Sequence, residues 1–320
     1  MDALDLFFKR FSYKFPKGYP DMNNEADKKL LFELFEAEVQ KAKPDSIYNK
    51  VIAKALTGDE NGEFPQASKV YKVGQDVNLT GEDEKIFTEL YPITPPKTGK
   101  EIGTAGTKGS GNGEIAMHWL LSKGHTVVDS RKLDSPDLLI DGSIGVEVKA
   151  YEETRMTLGR YGSDQANINI LGVVFGVSTL VSSFEGTKRT ASPMTFNTDE
   201  LKVAFKHMAD FDKSDLRAVS GEYPILKNIY DNIDFVKQQL NIDEITPEHG
   251  TAEMIRRLLI TKFSKKPGLG GYIANVNEGG SIKYTQITEE TIKGFSDEQL
   301  LKGVSTNQGQ IIISTAILFP

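Results

Sequence analysis

The chain has 320 residues, 38% hydrophobic and 26% charged, which allows one large globular domain or two to three smaller ones. It contains no cysteine, so disulfides, thiolate catalysis and Cys-ligated zinc are excluded, and its net charge of −7 confines any nucleic-acid contact to local basic patches. The four histidines show no HxH or HExxH spacing, which argues against a histidine metal site. The longest apolar run, 168–181, falls short of the roughly 18 residues a membrane span needs and is cut by Gly172 and Gly176. The acidic start MDALDLFFKRF lacks a signal-peptide pattern, so the expectation is a cytoplasmic protein with no membrane partner.

Residues 1–92 read as a mostly helical N-terminal region. Asn24 is placed to cap a helix whose Leu30, Leu31, Leu34, Phe35 and Val39 follow helical spacing. Before it, 7–20 interleaves Lys9, Arg10, Lys14 and Lys17 with Phe and Tyr residues. That pattern suits nucleic-acid contact and also an amphipathic edge packed on its own domain, the commoner use of aromatics. Residues 93–113 are rich in Pro, Gly, Thr and Lys and mark a linker or loop. This is not a Walker loop, because Lys108 is followed by Gly109 and no strand precedes it. Lys108 remains a candidate for phosphate contact, as do Lys97 and Lys100.

The spacing predicts a helix over 114–123 ending at Gly124, with Glu114 and His118 four apart on one face. Short strands follow at 125–130, 136–141 and 144–150. Residues 151–248 read as a helical insertion, with helical patterns at 165–180, 198–211 and 224–240. A basic helix over 251–266 carries Arg256, Arg257, Lys262, Lys265 and Lys266 against the single acid Glu253. Two strands joined by 277–280 form a hairpin signal, and the tail adds a short helix near 297–302 and an apolar strand over 311–318. The organisation expected is therefore an N-terminal region (1–92), a linker (93–113), a core in two parts (114–150 and 249–320) and the insertion between them.

The stretch SPDLLIDGSIGVEVK places charges where a core hairpin would be apolar. A three-residue loop at 141–143, with Gly142 taking the positive φ, pairs Ile140 with Ile144 and so sets Asp137 opposite Glu147. Directly opposed Cβ atoms lie about 5 Å apart on one face, and alternation adds Lys149 to that face while Val146 and Val148 point the other way. Opposed carboxylates repel. Either one is protonated, or a hard divalent cation such as Mg²⁺ neutralises both. The competing reading is a surface hairpin with a cross-strand charge cluster.

Pro136-Asp137, nine intervening residues, then Glu147-Val148-Lys149 resembles the signature of the PD-(D/E)xK, or restriction-endonuclease-like, nuclease superfamily. The order of a helix bearing Glu114, a strand, a strand with the PD pair and a strand with ExK is more specific than the short motif. The resemblance covers about 113–150. It implies an α/β fold, a mixed central sheet flanked by helices in the order αβββαβ, and Mg²⁺-dependent hydrolysis of DNA phosphodiesters, with Mn²⁺ able to substitute. Asp137, Glu147 and the Val148 carbonyl would hold the metal. Lys149 would position the water, and Glu114 would bind a second metal or act through water. His118 is either a polar support behind Glu114 or, the commoner use, a packed histidine, and Gln165 is a candidate for contacting the site from the following helix. The helix after the ExK strand is either 165–180 or the favoured 251–266, whose Arg256, Arg257, Lys262, Lys265 and Lys266 would then meet DNA. A double-strand cutter usually needs two sites, so a homodimer is expected. The alternative is a non-catalytic DNA-binding or structural assembly protein that retains the fold.

Overall fold

The computed structural model describes residues 14–15, 21, 23–41, 65–92, 113–129, 136–150, 154–160, 164–184, 186, 196–307 and 309–320. In chain order the elements are α1 (Glu25–Lys41), β1 (Val77–Asn78), α2 (Gly81–Leu90), α3 (Glu114–Leu121), β2 (Val127–Asp129), β3 (Leu138–Ile140), β4 (Ile144–Lys149), β5 (Arg155–Arg160), α4 (Gln165–Phe184), α5 (Thr198–Asp212), α6 (Pro224–Leu240), α7 (Pro247–Lys265), β6 (Tyr272–Val276), β7 (Ser281–Gln286), α8 (Glu289–Gly294), α9 (Asp297–Gly303), β8 (Val304–Asn307), β9 (Gln310–Ser314) and α10 (Thr315–Leu318). They fall into two compact units, Met1–Glu152 with Lys265–Ile287, and Glu153–Ser264 with Thr288–Pro320.

The first unit is α/β. Its mixed sheet has the order β1-β7-β6-β4-β3-β2. Among the described strands of this sheet the β4–β6 pair alone is parallel, so the long excursion between those two strands is the crossover that parallel neighbours require. The β3–β4 turn has φ 50° at Asp141 and 72° at Gly142, residue types that tolerate positive φ. Asp141 also ties the turn to β2: its carboxylate accepts from Thr126 N at 2.8 Å and lies 2.7 Å from His125 Nδ1. The register pairs Leu138 with Val146 and Ile140 with Ile144, as the three-residue loop requires. Leu138, Ile140, Val146, Val148, Ala274 and Val276 share one sheet face and join Ile115, Trp119 and Leu120 of α3 in one buried cluster.

The segment before α3 is part of this unit and not a separate helical region. β1 pairs with β7 through Val77 and Ile282. Asp83, in the acidic first turn of α2, is 2% exposed and accepts from Ser68 N, Ser68 Oγ and Tyr71 Oη at 2.5–2.7 Å. Burial alone would raise this carboxyl. The hydrogen bonds outweigh that and hold it below its usual value, while burial and Asp83 together push the Tyr71 hydroxyl up to about 12. Trp119 Nε1 donates to Pro65 O and Lys123 Nζ to Ala67 O, which fastens the same segment to α3. The aromatic and basic stretch 7–20 and the loop 93–112 lie almost wholly outside the described residues.

The second unit holds helices α4 to α7 and a three-stranded sheet of order β5-β9-β8. Strand β5 corrects the all-helical reading of 151–248. Met156 and Leu158 alternate inward, and the register shifts between Thr157 and Gly159. Only six residues long, it lacked turn signals on which a sequence reading could lean. The tail differs too. The strand stops at Ser314 and 315–318 form a helical turn, whose Ile317 packs so closely on Gly303 that a Cβ there would meet Ile317 Cδ1 at 2.2 Å. Helix α4 is longer than its apolar run. By length and composition, 165–183 could cross a membrane, and 44% of that window is buried.

Candidate active site

Continuing the β3–β4 register by one residue sets Asp137 opposite Glu147. Both carboxylates are buried, at 4% and 5% exposure. They project from the sheet face opposite the α3 cluster, because Asp137, Gly145, Glu147 and Lys149 alternate with Leu138, Val146 and Val148. Asp137 Oδ2 accepts from Val148 N at 3.0 Å, so a side chain takes over where the β3 backbone ladder stops. Glu147 Oε1 accepts from Lys149 Nζ at 2.6 Å. Glu147 Oε2 is buried and has no hydrogen-bond partner among the described residues.

A second lysine enters the cluster. Lys266 Nζ lies 3.1 Å from Asp137 Oδ1 and 2.7 Å from Glu147 Oε1, and its side chain is 10% exposed. The two acids are thus balanced by two ammonium groups. This is a third answer to the repulsion between opposed carboxylates, beside protonation and a metal. It also changes the role expected for Lys266, which is committed to the acid pair instead of facing phosphate. The backbone explains how it arrives. A Cβ on Gly145 would meet Pro267 O at 1.9 Å, and a Cβ on Gly271 would meet Gly145 O at 2.6 Å. The segment 267–271 therefore runs directly over Gly145, two residues before Glu147 on the same face, and carries Lys266 to the acids.

The donor set suits a hard divalent cation. Two opposed carboxylates, one with a buried oxygen that has no partner among the described residues, and the neighbouring Val148 carbonyl are the kind of oxygen ligands that Mg²⁺ takes along with water and substrate phosphate. The fit has one condition. Asp137 Oδ1 and Glu147 Oε1 are held by Lys266, so a cation using both oxygens has to replace that ammonium.

The other expected residues divide. Glu114 is the first residue of α3 and half-buried; Gly113 before it has φ 82° and presses on Val276, one residue beyond the pair formed by Asn275 and Lys149. The start of α3 is thereby at the Lys149 end of the sheet. His118, one turn on, is half-buried. Gln165 opens α4 in the second unit and donates to Asn169. The basic helix does not present one face of cations. Arg256 is 8% exposed and bound to Glu253, Asp297 and the Phe295 carbonyl, while Arg257 donates to Asn167 Oδ1 and Gln239 O. Lys262 is half-buried and Lys265 exposed. Lys108 lies outside the described residues. Helix α7 immediately precedes β6 in the chain, yet up to Ser264 it groups with the second unit.

A cluster not anticipated from sequence lies in the second unit. His249, Glu253 and Asp297 bring ligand atoms within 4.8 Å of one another. His249 and Glu253 are four apart on α7, a readable spacing, but Asp297 is 44 residues beyond Glu253 and gives no local signal. Burial would raise the Asp297 carboxyl, yet the hydrogen bonds from His249 and Arg256 outweigh it and hold it low. Arg256 already pairs with both acids, so their charges are offset within an ion network. Comparison with protein-family models, curated proteins and solved structures finds no match for the chain.

Proposed function

We propose that the chain is a metal-dependent nuclease hydrolysing DNA phosphodiester bonds, with Asp137, Glu147 and Lys149 as its working residues. The observation that carries this reading is the buried, face-sharing pair of Asp137 and Glu147, with Lys149 beside it and one Glu147 oxygen without a partner among the described residues. The consecutive elements α3–β2–β3–β4 and the parallel pairing of β4 with β6 support it, with β5 and α4 to α7 intervening in the chain. Asp137 and Glu147, with the Val148 carbonyl, would hold Mg²⁺ or Mn²⁺. Bound there, the cation would polarise the scissile phosphate and make a bound water more acidic. Lys149 would orient the attacking water and offset charge developing on phosphorus. Glu114 would bind a second cation or act through water, with His118 behind it. A homodimer would supply the two sites a double-strand cut needs.

Supercoiled plasmid incubated with the purified chain and Mg²⁺ or Mn²⁺ is expected to be nicked or linearised. No cleavage with either metal, on supercoiled, linear and single-stranded DNA, would sink the reading. One observation favours a second reading, a DNA-binding or assembly protein that keeps the fold without hydrolysis: Lys266 neutralises the acid pair without a metal. DNA binding without metal-dependent cleavage would favour it.

A further inference from the structure

We propose that Lys266 is an internal counter-ion that holds Asp137 and Glu147 together in the metal-free protein and is exchanged for the divalent cation. The inference rests on the reading that these carboxylates take a metal. The Lys266 ammonium touches Asp137 Oδ1 and Glu147 Oε1, the two oxygens a bridging cation would use. Charge dictates exchange over addition. Among the described ion pairs the charges of Asp137, Glu147, Lys149 and Lys266 cancel, so a divalent cation entering beside both lysines would add two positive charges to a buried site. Glu147 Oε2 supplies a ligand position, since it is buried and has no partner among the described residues while Oε1 holds both lysines.

The two lysines are anchored differently. Lys149 belongs to β4 itself and keeps its place beside Glu147. Lys266 comes from the segment that passes over Gly145, so its long side chain can withdraw without disturbing a strand. Metal affinity is thereby set by the lysine as well as by the ligands. The protein without metal keeps its acids paired and folded.

The test uses the full chain stripped of metal, with Mn²⁺ or Mg²⁺ alone as the probe. Lys266→Met and Lys266→Gln are expected to melt below the unsubstituted protein without metal and to regain the loss when metal is added. Calorimetry is expected to give them at least about tenfold tighter Mn²⁺ binding, because a competing charge has been removed. Lys266 in the unsubstituted protein is expected to resist acetic anhydride without metal and to be acetylated, by mass spectrometry, once metal saturates the site. This readout decides the matter if the variants fail to fold. Mn²⁺ binding by the variants no tighter than by the unsubstituted protein, or Lys266 labelling unchanged by bound metal, overturns the exchange while leaving the metal site standing. Absence of metal binding in every form overturns both.

Discussion

The Pro267 carbonyl oxygen lies 1.9 Å from where a Cβ on Gly145 would be. That approach joins the chain returning from α7 to the strand that bears Glu147. Gly145→Ala must push 267–271 off the sheet and take Lys266 with it. The expected cost is about 1–3 kcal/mol for an overpacked buried site, read as a lower midpoint in urea. An unchanged midpoint would mean that the approach is not maintained in solution.

Asp137→Asn and Glu147→Gln are each expected to abolish cleavage and to weaken metal binding measured by calorimetry. Lys149→Ala is expected to lower the cleavage rate by about 10²-fold or more while metal still binds. Cleavage by Lys149→Ala at the unsubstituted rate would put the chemistry elsewhere.

The Asp83 cluster predicts an acid limb in stability. Its folded carboxyl titrates below the unfolded value of about 3.9, so its contribution is present above that pH and is lost as pH falls through the lower folded value. Asp83→Asn is expected to cost about 1–3 kcal/mol at neutral pH, through disrupted hydrogen bonds from Ser68 and Tyr71. It should also flatten the loss of stability below about pH 4. Denaturant midpoints from pH 3 to 7 check this; equal slopes for both proteins would contradict it.

Much of the hairpin was legible because its period is two and its turn is short. The loop 141–143 dictates which residues face each other, and the observed register follows. The β6–β7 hairpin was legible for the same reason, with Gly280 at φ 72° in its turn. Lys266 was visible only as a cation on a basic helix. Its pairing with residues 129 and 119 positions earlier depends on a backbone approach at Gly145 that leaves no periodic trace. Strand β5 was missed inside helical sequence, and its partner β9 lies about 150 residues away. Arg256 reads as a surface cation until Asp297, which buries it in an ion network, is brought alongside.

That network gives a separate prediction. Asp297→Asn removes the carboxylate charge beside Arg256 and turns one of the two acceptor oxygens shared by Arg256 and His249 into an amide NH2, and is expected to cost about 1–3 kcal/mol of stability. Mn²⁺ affinity by calorimetry should be unaltered, because the proposed metal ligands are in the other unit. Loss of Mn²⁺ binding in Asp297→Asn would move the metal site to His249, Glu253 and Asp297.

The most direct test is anomalous scattering from a crystal soaked in Mn²⁺. The proposed site predicts a peak between Asp137 and Glu147, roughly 2.0–2.3 Å from a carboxylate oxygen of each, with the Lys266 ammonium displaced from both. A peak confined to His249, Glu253 and Asp297, or no peak while Lys266 still bridges the two acids, would contradict it.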